Sequence, residues 1–507
     1  MRRRPGRSAG AAGPDRWILN RGLGIPIFLA VMFVVFWVTQ VVGGAFVDFF
    51  DLLGGTLFVE TPRFILGRLG APHPVIALLA DGLGAGLQTM ATFLTPIGCM
   101  FLCLAILEDS GYMARAAFVM DRAMGWVGLP GKSFVPLLVG FGCSVPAIMA
   151  TRTLESRRDR MLTIFMTPFM SCGAKLPVYV IFGAAFFPDN PGRSVFLIYV
   201  TGIVLGILTG LLLKRTLFTG APSHFIMELP PYHRPRLRSI MMNVWERLRM
   251  FAIRAGKVIV PMVLVLGVLN SVGRDGSLGH ADSGSSLLSG LGRTTTPVFE
   301  PMGVGRENWP ATVAIFSGLF AKEALIGTLN SLYGQNRRLA EGEAGALESE
   351  AAVSEFDFLG GIAAAFRTLP EGLAKIAASV TVPLGLAGAE SGGMEPAAIA
   401  DGADASLFAD LRRGFPQGAN QAFAYLLFIL LYVPCFAAMG AAFNELGRLY
   451  GIILMVYLTV LGWSVATLYY QLTLGRQWLW IAVPCALLAA MAGGFALMGR
   501  YRRIPLR

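Results

Sequence analysis

Apolar residues along this chain are gathered into long runs that polar stretches separate. A helix needs roughly 20 apolar residues to cross a hydrocarbon core, and eight runs approach that length. Two of them are "GIPIFLAVMFVVFWVTQVVGGAFV" and "SVFLIYVTGIVLGILTGLLL", and the eight begin near Gly24, Thr89, Met161, Ser194, Phe251, Gln421, Gly451 and Trp478. The pattern predicts an all-α polytopic membrane protein with about eight transmembrane helices.

Two further stretches, 133–151 and 309–333, are apolar but interrupted by Gly and polar residues. Basic residues cluster in the first seven positions, in 151–160, in 214–257 and in the C-terminal tail, and the positive-inside rule places such clusters in the cytoplasm. When membrane crossings are counted from a cytoplasmic N-terminus, all four basic clusters lie in the cytoplasm only if 133–151 and 309–333 do not cross the membrane. Each of these two stretches must leave the membrane on the side from which it enters. We therefore predict two re-entrant hairpins that enter from opposite sides, as in an inverted repeat whose broken elements meet near the bilayer middle.

The spans that follow the two hairpins also resemble each other. Each has an internal Pro and Cys, in "MTPFMSCGAKLPVYV" after the first hairpin and in "LLYVPCFAAMGAAF" after the second. Gly and Pro are frequent in membrane helices generally, so the likeness favours an internal duplication without requiring one. The Gly- and Ser-rich segment 272–297 and the stretch 334–417, acidic in its first part, are predicted to be loops outside the cell.

Composition agrees with a chain built for lipid. Hydrophobic residues make up 55% of its 507 residues and charged residues 14%, whereas a soluble domain has about 25% charged residues. The net charge is +11, but the basic residues cluster beside the membrane spans. They therefore indicate the topology of the chain and not nucleic-acid binding. All six cysteines lie in apolar segments, which predicts free thiols and not a disulfide framework.

The letters G-K-S at 131–133 suggest a phosphate-binding loop, but the rest of that motif is absent. The motif requires a glycine five positions before Gly131, and Trp126 stands there. The following "FVPLLVGFG" is lipid-compatible, with Pro and Gly that prevent a regular helix and free backbone carbonyls. Irregular backbone at membrane depth is tolerated only where protein or a water-filled cavity surrounds it, so the stretch favours ion chemistry and predicts no GTP site.

Three runs resemble the membrane domain of the FeoB family of ferrous iron transport proteins. They are "LEDSGYMARAAFVMDRAM" (107–124), the long run from "GLPGKSFVPLLVGFGCSVPAIMATR" to "VIFGAAFFP" (128–188) and "NWPATVAIFSGLFAKEALIGTL" (308–329). The resemblance extends from about Asp15 to the last helix. It implies a multi-pass transporter of the inner (cytoplasmic) membrane that is not an enzyme, with Fe²⁺ as its transported substrate and the re-entrant regions as Gate domains.

The resemblance and the crossing count together divide the chain into six parts. They are a basic cytoplasmic N-terminus (1–20), a first membrane half (21–213) with Gate 1 at about 94–190, a cytoplasmic FeoB-type middle segment (214–250), a membrane segment (251–333) with Gate 2 at about 255–333, an extracytoplasmic loop (334–417) and C-terminal transmembrane helices (418–507).

Partners also follow from the resemblance. FeoB proteins usually carry an N-terminal GTP-binding domain, and this sequence starts almost directly at its first membrane helix, so we expect either a separately encoded G protein or a truncated or GTP-independent form. The basic surface with Arg157, Arg158 and Arg160 is predicted to receive that G protein. A small FeoA-like accessory protein and a homo-oligomer are further candidate partners, beside membrane lipid.

Candidate ligands for the ion stand at the predicted helix breaks. Ferrous iron accepts thiolate, imidazole, carboxylate and carbonyl ligands, and no histidine lies within an apolar run. The resemblance implies that the break cysteines line the family's iron path. The candidate metal ligands are Cys143, Cys172 and Cys435, with the carbonyls around Gly142 and with Ser144, Glu108 and Glu323.

Each of these residues also has a structural interpretation. A single buried Cys is commonly a small hydrophobe, and that interpretation is kept for Cys99, Cys103 and Cys485. Glu108 either attracts a cation at a pore mouth or pairs with Arg115. Lys322 and Glu323 are predicted to cap or pair within the second hairpin.

Two other functions compete with ferrous iron transport. The first is a Gate-type permease for another substrate, such as a nucleoside or a different divalent metal, which would place Asn, Gln and aromatic side chains in the breaks. The second is a membrane scaffold that transports nothing. Metal accumulation in vesicles distinguishes the scaffold from both permeases.

Overall fold

The computed structural model describes residues 12–20, 22–188, 190–220, 232, 235–273, 286–340, 358–381 and 405–501. Within these ranges the chain is helical, and its one extended pairing is a bridge between Gly273 and Ser286. The helices are α1 (Ala12–Ile18), α2 (Gly24–Arg68), α3 (Leu78–Asp109), α4 (Tyr112–Val127), α5 (Phe134–Gly142), α6 (Ser144–Ala150), α7 (Arg157–Met166), α8 (Leu176–Phe186), α9 (Pro191–Arg215), α10 (Leu237–Ser271), α11 (Leu287–Phe299), α12 (Trp309–Phe320), α13 (Ala324–Ala340), α14 (Phe358–Thr381), α15 (Ala405–Gly414), α16 (Ala419–Leu431), α17 (Phe436–Tyr470) and α18 (Trp478–Tyr501).

Eight helical segments in the described ranges are long and apolar enough to cross a membrane, which confirms the predicted number. They are Gly24–Arg68, Leu78–Asp109, Arg157–Phe186, Pro191–Arg215, Leu237–Ser271, Ala419–Leu446, Arg448–Gly475 and Trp478–Arg500. Each of the eight predicted runs falls within one of these segments. The chain is therefore an all-α, multi-pass membrane protein.

Two of these spans lie at the centre of the bundle. The most apolar window of Arg157–Phe186 is 61% buried and that of Ala419–Leu446 is 72% buried, against 11% for both Leu237–Ser271 and Trp478–Arg500. Both central spans are interrupted, the first between α7 and α8 and the second between α16 and α17. These two interruptions thus lie where other protein surrounds them, as a lipid-embedded fold requires.

Helix α9 packs against the first central span through three glycines that are four residues apart. A Cβ at Gly202 would lie 2.8 Å from the Phe169 carbonyl oxygen, and one at Gly210 would lie 2.7 Å from the Met166 sulfur. Gly206 contacts the Phe169 side chain in the same way. Small residues at this spacing let helix backbones approach closely in membranes, and here they place α9 against the backbone between α7 and α8.

The predicted loops contain helices, so that part of the prediction is wrong. Within 272–297, α11 begins after Ser286, whose hydroxyl oxygen accepts a hydrogen bond from the Ser289 backbone N–H at 3.1 Å and so caps the helix. Within 334–417, the end of α13 and the whole of α14 and α15 are helical. Helix α14 is rich in apolar residues but buries only a narrow face, which includes Ala365 and Gly372.

The two predicted hairpins each begin and end at one end of the bundle. The first, α5–α6, is flanked by Lys132 and Glu155, whose side chains pair at 3.3 Å. We call this the basic end. The second hairpin starts after Asn308 and returns in α13 to the open cavity that Asn308 lines. Helix α15 also lines this cavity, and Arg412 of α15 donates to the Ala185 carbonyl oxygen at 2.9 Å, at the end of the first central span opposite the basic end. The hairpins therefore enter from opposite ends, as an inverted repeat requires.

A cluster at the basic end joins three distant parts of the chain. The Arg115 guanidinium donates to the Asp15 carboxylate at 2.6 Å and lies over the Tyr232 ring, 3.6 Å from its centroid. The Tyr232 hydroxyl also donates to Asp15, at 2.8 Å. Glu108 pairs instead with Arg247 at 2.6 Å, so the predicted Glu108–Arg115 pair is wrong, since Arg115 is already bound to a nearer carboxylate.

This cluster predicts a defined dependence of stability on pH. The hydrogen bond from Arg115 lowers the pKa of Asp15 below its usual 3.8, with a smaller contribution from Tyr232, although burial opposes the shift. A carboxyl with a lowered folded-state pKa stabilises the fold above its unfolded-state pKa, and that stability is lost as pH falls through the folded value. We expect thermal stability to decrease below about pH 4.

The measurement is the melting temperature of the detergent-solubilised protein between pH 6 and pH 3, compared with Asp15→Asn. The variant lacks this titration, so the gap between the two proteins should narrow as pH falls. A gap of constant size across that interval would contradict the assignment.

Arg158 does not lie on the surface at the basic end. It pairs with Asp159 at 2.7 Å, and both side chains are at most 2% exposed. It also donates to the carbonyl oxygens of Phe218 and Gly128. The prediction that Arg158 receives a partner protein is therefore wrong, because its guanidinium holds the ends of three elements together inside the fold. Its neighbour Arg157 is exposed.

Candidate functional site at the helix breaks

The first helix break separates α5 from α6. Cys143 has extended backbone angles (φ −153°, ψ 130°) between the two helices. Gly142 precedes it, and a Cβ there would lie 2.7 Å from the Met100 sulfur, so a larger residue would displace the Met100 side chain of α3. Ser144 is 7% exposed and begins α6. The break thus presents a thiol and interrupted backbone at one point.

The second hairpin breaks with nearly the same geometry. Ala321, between α12 and α13, has φ −143° and ψ 130°, close to the angles of Cys143. Lys322 and Glu323 follow directly. The agreement of the two breaks supports the internal duplication that the sequence favours, although the second break carries charged residues where the first carries a thiol.

The two central spans are broken as well. Between α7 and α8 the chain turns through Ser171 and Cys172, and the Ser171 and Tyr179 hydroxyls are hydrogen-bonded at 2.9 Å. Between α16 and α17 it runs from Tyr432 to Cys435 in extended geometry. In each repeat a Cys therefore stands just before the second half of a broken span.

Helix lengths place the four breaks at similar depths. From the basic end, α5 has 9 residues and α7 has 10, or about 14–15 Å at a rise of about 1.5 Å per residue. From the opposite end, α12 has 12 residues and α16 has 13, or about 18–20 Å. The hydrocarbon core is about 30 Å thick, so elements from both sides end near its middle.

The three predicted thiols meet in this region. Cys143 is close enough to interact electrostatically with both Cys172 and Cys435, and with Glu323. Cys143 and Cys435 pack against the core, and all three cysteines keep some accessible surface. Within the described ranges no group of three or more His, Cys, Asp or Glu has the spacing of a formed metal site. The thiols are neighbours and do not form a closed cage.

The other predicted ligands divide into two groups. Gly142, Ser144 and Glu323 lie at the breaks. The Glu323 side chain is exposed to solvent although protein atoms surround it, so it lies in a crevice. Glu108 lies apart from them at the basic end: Met100 contacts the Gly142 position, and Glu108 is eight residues further along α3, about 12 Å away. The side chains of the four histidines lie outside the described residues.

Two lysines at the centre bind across the repeats. Lys175 donates to the Leu430 carbonyl oxygen at 2.7 Å, and Lys322 donates to the Val433 carbonyl oxygen at 3.1 Å. The Lys322 ammonium also lies 3.3 Å from the centroid of the Tyr432 ring. The prediction that Lys322 caps its own hairpin is therefore wrong. A signal was present in the sequence, since lysine in an apolar span needs a partner, but it does not say which carbonyl.

Sequence analysis missed an open cavity at the end of the bundle opposite the basic end. Its volume is about 650 Å³, and its walls carry Glu300, Glu307, Asn308, Asp410 and Gln421 beside three arginines. We call it the vestibule. These side chains come from the turn between α11 and α12 and from α13, α15 and α16, so no local sequence motif indicates the cavity.

Buried tyrosine hydroxyls connect the vestibule to the breaks. Tyr333 donates to the Asn308 side chain at the vestibule. Tyr425 donates to the Ala311 carbonyl oxygen at 2.9 Å, and Tyr432 to the Ile315 carbonyl oxygen at 3.4 Å. Polar groups thus continue along the α12–α16 contact from the vestibule to the centre.

The sequence matches two known families. Residues 90–186 and 252–449 match the Gate family, described as nucleoside recognition, and residues 195–247 match the ferrous iron transport protein B C terminus. One family matching two separate stretches agrees with the repeated break geometry. No solved structure matches the chain.

Curated relatives are similar along most of the chain. The Fe(2+) transporter FeoB of Legionella pneumophila (strain Philadelphia 1) is 45% identical over 458 residues, which cover 90% of this chain and 58% of that protein. The Fe(2+) transporter FeoB of Salmonella typhi is 41% identical over 499 residues, which cover 97% of this chain and 61% of that protein. The chain thus spans about three fifths of the length of these relatives.

Proposed function

We propose that this chain, which belongs to the Gate family and carries the FeoB C-terminal segment between its two Gate matches, moves ferrous iron across the cytoplasmic membrane. The observation that carries the proposal is the position of Cys143, Cys172 and Cys435 at three helix breaks, with the three thiols within electrostatic reach of one another. Thiols and carbonyl oxygens suit a borderline divalent cation such as Fe²⁺. The similar FeoB proteins bear the name of Fe(2+) transporters.

The arrangement of the thiols supports transport over storage. An ion must be held strongly enough to lose water and weakly enough to leave. Neighbouring thiols without a formed three-ligand site offer successive contacts and no trap. The last carbonyls of α5, α7, α12 and α16 add to them, because a helix C-terminus carries free carbonyl oxygens and partial negative charge.

The vestibule is the proposed entrance. Its carboxamides, the Glu307 carboxylate and its volume of about 650 Å³ suit a hydrated cation, whose water is exchanged for protein oxygen on the way inward. The other two carboxylates, Glu300 and Asp410, are paired with arginines. The path then follows the tyrosine hydroxyls along α12 and α16 to the breaks and leaves at the basic end, which positive-inside orientation places in the cytoplasm.

Residue types at the breaks favour a metal over a nucleoside. The backbone segments 142–143, 167–175, 321–323 and 432–435 contain Cys, Ser, Lys and Glu, and neither Asn nor Gln. Their aromatic side chains, Phe169 and Tyr432, are buried, and the Lys322 ammonium lies over the Tyr432 ring. Readout of a base edge requires paired donors and acceptors of the amide type. The Gate framework therefore carries a different selectivity filter in this chain.

Energy coupling is proposed to come from a partner at the basic end. A G protein on a separate chain, with a small FeoA-like accessory protein, would dock near the exposed Arg157. GTP-stimulated uptake on addition of such a G protein would support this part, and uptake unaffected by GTP in intact membranes would count against it.

The test of the main proposal is uptake by the purified full chain in liposomes. Anaerobic vesicles containing a chelating fluorophore should take up Fe²⁺ faster than protein-free vesicles, with Mn²⁺ and Zn²⁺ compared in parallel. Vesicles with the chain that accumulate none of these metals, with and without the proposed partner, would leave the scaffold interpretation standing.

A further inference from the structure

Two buried lysines, one from each repeat, converge on a single four-residue segment. Lys175 is 2% exposed and Lys322 is 3% exposed. Lys175, which stands between the halves of the first central span, binds the Leu430 carbonyl oxygen, and Lys322 of the second hairpin binds the Val433 carbonyl oxygen. The segment 430–433 leads directly to Cys435, so both ammonium groups lie at the point where the proposed path passes.

The carbonyls that they bind are of the kind that an ion would use. Leu430 lies in the last turn of α16, where carbonyl oxygens have no partner within the helix and the helix dipole attracts a cation. Val433 lies in the non-helical break. A cation in transit finds its oxygen ligands at such positions in broken membrane helices. In this structure a lysine ammonium binds each of the two.

The two ammonium groups also act on a cation through their charge. Lys322 is close enough to interact electrostatically with Lys175, with Cys172 and with Cys435. Positive charge beside the thiols opposes the entry of a second positive charge, and low dielectric strengthens that opposition. Neither lysine is used by the thiol-to-thiol path described above.

We propose that Lys175 and Lys322 are tethered cations that close the path. Each ammonium occupies a carbonyl oxygen that Fe²⁺ would bind, and each must leave its carbonyl before an ion passes Cys435. The inference rests on the proposed transport function for its ion, but its structural part, the closure of the segment 430–433 around Cys435, is measurable without transport.

Access to Cys435 tests the closure directly. The purified full chain is treated with neutral iodoacetamide and, separately, with a cationic methanethiosulfonate reagent, and the modified Cys435 peptide is followed by mass spectrometry. We expect Lys322→Met to raise the modification rate about tenfold, the population change that corresponds to about 1.4 kcal/mol, and the cationic reagent to gain more than the neutral one. Lys175→Met should act in the same direction.

Matched variants separate closure from general loosening. Lys322→Arg keeps the charge and the donors, so its rate should stay near that of the unmodified chain. Lys214→Met removes a lysine that also donates to a carbonyl, that of Trp126, but at the basic end, and should change nothing at Cys435. Tyr432→Leu removes the ring beneath the Lys322 ammonium and should raise the modification rate of Cys435 less than Lys322→Met does. If the lysine variants do not fold, Tyr432→Leu takes their place as the test of the closure.

The outcomes distinguish the two proposals. Unchanged Cys435 rates in Lys322→Met, Lys175→Met and Tyr432→Leu overturn the closure, as does an equal rise in Lys322→Arg. A rise in the Met variants without any metal uptake by the unmodified chain supports the closure and contradicts iron transport. A passive Mn²⁺ leak in Lys322→Met vesicles, absent from Lys214→Met vesicles, supports both.

Discussion

Replacing Cys143, Cys172 and Cys435 together by serine is expected to reduce the initial rate of Fe²⁺ uptake at least about tenfold. Loss of a group that merely supports a metal ligand already costs about 10- to 100-fold in affinity or activity, and this change removes three candidate ligands at once. Serine preserves the size of the side chain but replaces a soft sulfur by a hard oxygen, so Fe²⁺ and Zn²⁺ should lose more than Mn²⁺. The measurement is anaerobic uptake into vesicles at equal protein density.

The remaining cysteines supply the matched control. Cys99 and Cys103 lie on α3 and are partly buried, and Cys485 lies exposed on α18. Their triple replacement by serine makes the same chemical change at the same number of sites and should leave the uptake rate within about twofold. Equal losses in the two triple variants would mean that sulfur at the breaks has no special role, and unchanged uptake in the first would remove the thiols from the path.

Replacing Arg158 by methionine is expected to destabilise the protein by about 3–5 kcal/mol, the usual effect of removing one partner from a buried ion pair. The change removes the ion-pair partner of Asp159, whose side chain is fully buried. It also removes the donors to the Phe218 and Gly128 carbonyl oxygens, which join α7 to the ends of α9 and α4. A lower melting temperature in detergent measures the loss.

Arg157 provides the control for that variant, because it is the adjacent residue of the same type and is exposed. Arg157→Met should leave the melting temperature nearly unchanged, since surface substitutions usually alter stability by about 0.5 kcal/mol or less. If both variants have the same melting temperature, the contacts of Arg158 do not stabilise the fold more than those of the exposed Arg157 do. If Arg157→Met alone abolishes stimulation by a G protein, docking at this surface is supported.

The eight spans could be predicted from the sequence because length and hydropathy decide them locally. A run such as the one from Ser194 has no stable alternative to a helix in lipid. The two hairpins could also be predicted, though by a different route: the basic clusters at the N-terminus, at 151–160 and near the C-terminus all face the same side only if both hairpins return to their side of entry.

Pairings between distant residues could not be predicted in the same way. Lys175 and Leu430 are 255 positions apart, and the carbonyl that accepts a lysine is a backbone group that every residue has. In the local sequence "RRDR" all four residues are charged, and nothing in it distinguishes buried from exposed positions. In the structure Arg158 and Asp159 are buried and Arg157 is exposed. Such differences arise from packing against α4 and α9, which the local pattern does not contain.

The segments mistaken for loops show a limit of composition. Gly, Ser and Thr in 286–299 suggest irregular chain, but the Thr296 hydroxyl donates to the Gly292 carbonyl oxygen at 2.7 Å and to the Thr312 hydroxyl at 3.1 Å. Side-chain hydrogen bonds of this kind satisfy hydroxyls inside a helix. The polar residues therefore contribute to the contact between α11 and α12 and do not end the helix.

The glycine face of α9 determines the direction in which its neighbour moves most easily. Gly202, Gly206 and Gly210 present backbone, and no bulky side chain, to the segment between α7 and α8. A surface of this kind resists separation, because close van der Waals contact would be lost along its whole length, but it offers little steric barrier to sliding along the helix axis. Any rearrangement that repositions Cys172 is therefore directed along the membrane normal as a shear against α9, and outward tilting is disfavoured.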